Sequence, residues 1–115
     1  MNTVISTPKA PAAVGPYSQA IKAGNTVYCS GQIGLDPATG TMVEGVVAQA
    51  NRAFDNLEAV LAQAGAKMTD VVKFTIFLTD INDFSQVNEV MAAHVPTPYP
   101  ARSCCLLYTS PSPRD

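Results

Sequence analysis

The 115-residue chain reads as a single domain of the α/β (α+β) class, with two helices on one face of a mixed sheet. Three observations predict this. Strand-like and helix-like segments follow one another in the order hairpin, helix, strand, helix, strand. Residues 45–64 place apolar side chains at helical spacing, while residues 71–79 crowd β-branched and aromatic side chains together. Apolar residues make up 47% of the chain and charged residues 14%, which suits a packed core rather than a disordered segment.

Each element has a local reason. Met1 to Thr7 reads as a short leading strand carrying the β-branched pair Val4 and Ile5. Pro8, Pro11, Gly15 and Pro16 then predict an extended, irregular loop. Tyr17–Ala23 and Thr26–Gly31 flank Gly24-Asn25, a turn pair, and together predict an antiparallel hairpin. Ser30-Gly31-Gln32 closes the second strand. A residue without Cβ at Gly31 lets a ligand or another backbone approach, although a plain strand end uses the same residues. Asp36 to Gly40 is a turn.

The helix over Gly45–Ala64 buries Val47, Ala50, Phe54, Leu57, Leu61 and Ala64 on one face, and Gly65 stops it. Arg52, Asp55, Glu58 and Gln63 fall on other faces and read as solvated. The strand over Val71–Thr79 is rich enough in apolar residues to be covered on both sides. Asp83 with Gln86 three residues on has the form of a capping box, predicting a second helix to about Ala93. Phe84, Val87 and Met91 form its stripe, with Asn88 beside it. Ala101 to Tyr108 begins a last strand, which Pro111 and Pro113 prevent from continuing.

Composition narrows the function. The net charge is −2 and no basic cluster exists, which disfavours nucleic acid and anionic membranes as partners. No apolar run reaches spanning length and no basic-then-apolar leader is present, so a soluble, cytoplasmic protein is expected. Three cysteines, two of them adjacent, form no disulfide framework and no metal-ligand spacing. The lone histidine, His94, reads as a surface or packing residue. A Cys104 nucleophile would lack an evident base.

The stretch Tyr99-Pro100-Ala101-Arg102-Ser103-Cys104 stands out chemically. No acidic residue lies between Glu89 and Asp115, so Arg102 has no neighbour in sequence to neutralise it. A guanidinium does not discharge by losing its proton, and its planar fork matches a carboxylate. A solvated arginine at a strand start fits these residues equally well.

Linked segments sharpen the choice. Residues 12–20 (AAVGPYSQA), Ser30-Gly31-Gln32, Ala48-Gln49-Ala50, residues 70–73 (DVVK), Asp83-Phe84, Val87-Asn88 and residues 100–103 (PARS) occur together at fixed spacing. With them the chain resembles the RidA (YjgF) family of reactive-intermediate enamine and imine deaminases, over roughly residues 1–104. The resemblance implies a chorismate-mutase-like fold and a homotrimer with clefts between subunits. It implies hydrolysis of small carboxylated imines and enamines of the 2-aminoacrylate type to 2-keto acids and ammonia, with no metal or organic cofactor. It assigns Arg102 to the substrate carboxylate, and Tyr17, Ser30, Gly31, Asn88 and the backbone near Cys104 to the pocket lining. A non-catalytic ligand-binding module of the same fold, or a translation-inhibitor or ribonuclease role, is the alternative.

The chain departs from the family pattern near Met91 and Val95, where an aromatic is usual, and more strongly after Cys104. The family's final strand is implied to lie inside the sheet and to carry a glutamate that positions the attacking water. Residues 105–115 match none of it and read as a non-family tail, outside an incomplete domain of residues 1–104. An internal strand missing from a sheet leaves two rows of backbone groups unpaired. The chain as written is therefore expected to be poorly stable, prone to aggregation and weakly active.

Overall fold

The computed structural model describes residues 2–107; of the tail expected over residues 105–115, residues 108–115 lie outside them. Strands β1 (Thr3–Ile5), β2 (Ala20–Ala23) and β3 (Thr26–Cys29) form an antiparallel sheet in the order β1-β2-β3. Ala23 pairs with Thr26, so Gly24-Asn25 is a two-residue hairpin turn, with Gly24 at φ 61°. Helix α1 (Val46–Gln63) follows, then β4 (Lys73–Leu78), helix α2 (Phe84–His94) and β5 (Ala101–Leu106). β5 runs parallel to β4, from Lys73 opposite Ala101 to Leu78 opposite Leu106. A parallel pair needs a crossover, and α2 supplies it. β5 continues two residues past Cys104.

The expected elements are present in an α/β arrangement. Among the described residues the strands form two sheets, the antiparallel three and the parallel β4–β5 pair. Helix α1 joins them by packing two different faces. Phe54 and Leu61 sit in one core with Met68, Phe74, Val90, Met91 and Val95. Val60, wholly buried, sits in a second with Ile5, Ala10 and Ala20. Of the stripe expected along α1, Ala50, Phe54, Leu57 and Leu61 belong to the first of these cores, Ala64 packs against the second, and Val47 is exposed.

The helix ends where Gly65 reaches φ 78°. Ala66 N–H donates to Leu61 O at 2.8 Å and Gly65 N–H to Ala62 O at 3.0 Å, the paired bonds of a Schellman stop. The capping box expected at Asp83 does not form. Asp80 instead accepts from Asn82 N–H at 2.9 Å and opens a 3₁₀ turn over Ile81–Asp83 that runs directly into α2. Asp83 is already helical there, with its side chain making no cap bond. β4 is also covered on one side only. Phe74 is buried, whereas Lys73, Thr75 and Phe77 are exposed, so the second cover expected for this strand is not supplied by the described residues.

Between the two sheets lies a cavity of about 710 Å³. Residues 29–34 border it on the β3 side and residues 74–78 on the β4 side, with Ala50, Phe54 and Leu57 of α1 forming an apolar floor. Among the described residues β3 pairs only with β2, and β4 only with β5.

Candidate functional site

Arg102 sits near the start of β5, opposite Phe74 of β4. Its side chain crosses onto α2, which fits the i, i+3, i+4 spacing of Phe84, Asn88 and Met91 on one helical face. Nη1 donates to Asn88 Oδ1 at 2.5 Å and approaches Met91 Sδ at 3.7 Å. The guanidinium carbon lies 5.2 Å from the centre of the Phe84 ring. Every one of these partners is neutral, and no carboxylate of the described residues comes within ion-pair distance of Arg102. Both polar contacts use Nη1. The Nε/Nη2 edge, three N–H groups in one plane, has no protein acceptor among the described residues. That edge has the geometry that holds a carboxylate through two parallel hydrogen bonds. Asn88 and Phe84 fix the plane of the fork, and residue and helix are both exposed to solvent there.

Of the other expected site residues, only Cys104 lies on the same strand as Arg102. Ser30 and Gly31 border the cavity between the sheets. The Ser30 hydroxyl donates to Ser18 O at 2.5 Å, tying the end of β3 to the segment before β2. Gly31 faces open space, since a Cβ built there meets nothing within 4 Å. Tyr17 is half exposed and lines a different cavity, of about 630 Å³, formed by the N-terminal loop. Cys104 is exposed on β5, two residues beyond Arg102, opposite Ile76. One chain thus brings Arg102 and Asn88 into contact, sets Ser30 and Gly31 on the cavity between the sheets, and places Tyr17 in a second cavity, next to the Ser18 whose carbonyl Ser30 bonds.

Three positions that the sequence does not single out hold this frame. Asn56, fully buried on α1, donates from Nδ2 to Ile33 O at 3.1 Å and Leu35 O at 2.8 Å, and accepts from Arg52 Nε at 3.1 Å. It pins the loop after Gly31 to the helix. Gly34 packs so closely on α1 that an added Cβ would lie 2.6 Å from Gln49 Cα. Gln19, also buried, accepts from Thr7 N–H at 2.6 Å and donates to the carbonyls of Thr7, Ala10 and Pro11, which fixes the loop beside Tyr17. Cys29, at the cavity's edge, is partly desolvated by its surroundings, and this pushes its thiol up from the ordinary range. A raised thiol is a poor nucleophile near neutrality. Cys29 has part of its surface in water rather than in the core.

Fold and site together define a class, a single α/β domain that displays an arginine fork, held by neutral groups, to solvent. Comparison with known proteins carries this further. A family model described as Endoribonuclease L-PSP matches residues 7–109. The chain is 52% identical over 101 residues to a 2-iminobutanoate/2-iminopropanoate deaminase of Dermatophagoides farinae, covering 87% of this chain and 79% of the relative. The Homo sapiens protein of the same name is 50% identical, with 87% and 74% covered. Among solved structures, RidA from an Antarctic Psychrobacter superposes with a TM-score of 0.90 at 51% identity, covering 95% of this chain and 89% of that one. Escherichia coli TdcF, solved with bound serine, gives 0.86 at 38% identity, with 95% and 88% covered. The chain belongs to the Endoribonuclease L-PSP family, the family of the RidA proteins.

Proposed function

We propose that this chain carries the site of a hydrolytic deaminase for small carboxylated imines and enamines of the 2-aminoacrylate type. In that reaction water adds to the C=N carbon and gives a carbinolamine. The C–N bond then breaks as the hydroxyl proton is lost, so the products are a 2-keto acid and ammonia. Arg102 holds the substrate carboxylate on its Nε/Nη2 edge, and Asn88 and Phe84 keep that edge planar and fixed. Because the carboxylate is bonded to the reacting carbon, anchoring it positions the C=N group for attack. Tyr17, Ser30, Gly31 and Cys104 supply walls and hydrogen-bonding groups around it. The names of the relatives at about half identity support this chemistry.

The same reading makes the site composite. Ser30 and Gly31 line one cavity and Tyr17 another, while Arg102 lines neither, and a homotrimer with clefts between subunits would bring such places together. It also makes the present chain a weak catalyst, since the edges of β3 and β4 that face the cavity have no strand partner among the described residues.

The observation that carries the proposal is the carboxylate-free arginine with an open two-pronged edge. The test is ammonia release from freshly generated 2-aminoacrylate, measured for this chain and for one given a family-like C-terminal strand. The extended chain should turn over faster. In it, Arg102→Ala should lower kcat/KM about a hundredfold or more with an unchanged circular dichroism spectrum. Full activity in the Arg102→Ala protein would sink the assignment.

A further inference from the structure

His94, the only histidine in the chain, closes α2 beside the middle of α1. Its side chain is 15% exposed, and its ring stacks on Phe54 with centroids 5.2 Å apart and planes at 17°. Its tautomer follows from its neighbours. Asn51 Nδ2 donates to Val47 O at 3.1 Å, which fixes the amide so that Oδ1 turns to His94 Nε2 at 2.8 Å. Oδ1 only accepts, so Nε2 carries a proton. In the neutral imidazole Nδ1 is then a lone pair. It faces two carboxylates, with Glu58 Oε1 at 3.3 Å and Asp55 Oδ1 at 3.9 Å. Three acceptors then converge on one point, which suits a cation there.

We propose that Asp55, Glu58 and His94 form a binding site for a divalent transition ion of the zinc class, with water in the fourth position. The three ligand atoms all lie within 4.8 Å of one another. Tetrahedral zinc, with bonds of about 2.0–2.1 Å, sets its ligand atoms about 3.3–3.4 Å apart. The His94–Glu58 separation already has that value. The Asp55 carboxylate, 3.9 Å from Nδ1 and within 4.8 Å of the other ligand atoms, closes on the same point by rotation of its exposed side chain. An imidazole with two carboxylates suits zinc, cobalt or nickel better than calcium, which takes six to eight oxygens. The charges of the two carboxylates and the ion cancel. The Nε2–H donated to the Asn51 carbonyl is the outer hydrogen bond that characteristically orients a ligating histidine. The site is spread over an i, i+3 pair on one helix and the end of another, a pattern that ligand spacing in sequence does not reveal. Bound there, the ion cross-links α1 to the C-terminus of α2.

The competing occupant of the same point is a proton, giving an imidazolium between two carboxylates. Equilibrium dialysis of the full chain against Zn²⁺ distinguishes them, with Cys29, Cys104 and Cys105 replaced by serine to remove thiol binding. One ion per chain is expected, together with a rise in melting temperature that grows with free Zn²⁺. Co²⁺ in its place should show the intense visible bands of a four-coordinate ion. His94→Gln and the pair Asp55→Asn, Glu58→Gln should each abolish stoichiometric binding, and Asn51→Leu should weaken it about tenfold. Binding of less than one ion per folded chain, or binding that survives His94→Gln, would overturn the proposal, as would a Zn²⁺-independent melting temperature.

Discussion

At the scale of single residues, the polar groups that matter most are those whose roles have no signature in sequence. Arg102 is legible because its isolation from acidic residues is written in the chain between Glu89 and Asp115. Asn56 is not, since an asparagine within an amphipathic helix reads as one more solvated side chain. Its burial comes from α1 having two packed faces, with Asn56 and Val60 on the second. Replacing it tests the reading. Asn56→Ala strands the carbonyls of Ile33 and Leu35 and the Nε of Arg52. The three bonds are part-buried, so each group left without a partner costs less than the ~1–3 kcal/mol of a fully buried one, and a loss of about 2–4 kcal/mol is expected for the set. The urea midpoint should fall with its slope unchanged. A fall of less than about 0.5 kcal/mol would mean that water replaces the amide at no cost. Gly34 gives a second case. A methyl there meets the backbone of α1 at Gln49, which has no rotamer to give way. Gly34→Ala should destabilise by about 1–3 kcal/mol, whereas Gly31→Ala, which adds a methyl to open space, should change the same midpoint little.

At the scale of elements, period and punctuation set most of what is visible from sequence alone. The hairpin about Gly24-Asn25, the helix stopped by Gly65, and the strand–helix–strand unit from Lys73 to Leu106 all occur where their residues predict them. The misreadings share one cause, which is competition from nearby residues outside the local window. Asp83 with Gln86 fits a capping box, but Asp80 captures the turn three residues earlier and delivers Asp83 into α2 already helical. β4 has the apolar density of a strand covered twice, yet the described chain covers only its Phe74 side. The site follows the same rule. Asn88 is one residue off the stripe of α2 and takes its meaning from β5, whose register sets Arg102 opposite Phe74 and within reach of the helix. Asn88→Ala should therefore act through the arginine. Removing Oδ1 leaves the guanidinium plane free to turn, so in a strand-restored chain KM for a carboxylated imine should rise about tenfold. A substrate analogue without a carboxylate should show no such change, and an equal effect on both would place Asn88 outside carboxylate binding.

At the scale of the whole molecule, α1 is the common wall of two half-cores whose sheets, among the described residues, do not meet. The two strand edges beside the 710 Å³ cavity are separated by an apolar floor, an arrangement that an extended segment would complete by pairing with both edges at once. Left open, such edges pair with whatever strand is available, including those of another copy. The uncovered sheet surfaces add to this, because Tyr28 on β3 and Phe77 on β4 are 67% and 60% exposed. On the proposed trimeric reading two associations would compete, a closed trimer and open-ended growth through strand edges, and filling the cavity would remove only the second. Light scattering on a sizing column should separate them. The 115-residue chain should elute as a broad distribution whose mean mass rises with concentration, with a shallow melt that does not reverse. Adding a family-like strand should collapse the distribution to three times 12.1 kDa plus the added segment, with one cooperative transition. Thr75→Lys, which puts a charge on exposed β4 beside the open edge, should slow growth in the original chain without restoring ammonia release. If the original chain were instead a concentration-independent species with a reversible melt as steep as that of the extended one, the open edges would carry no cost.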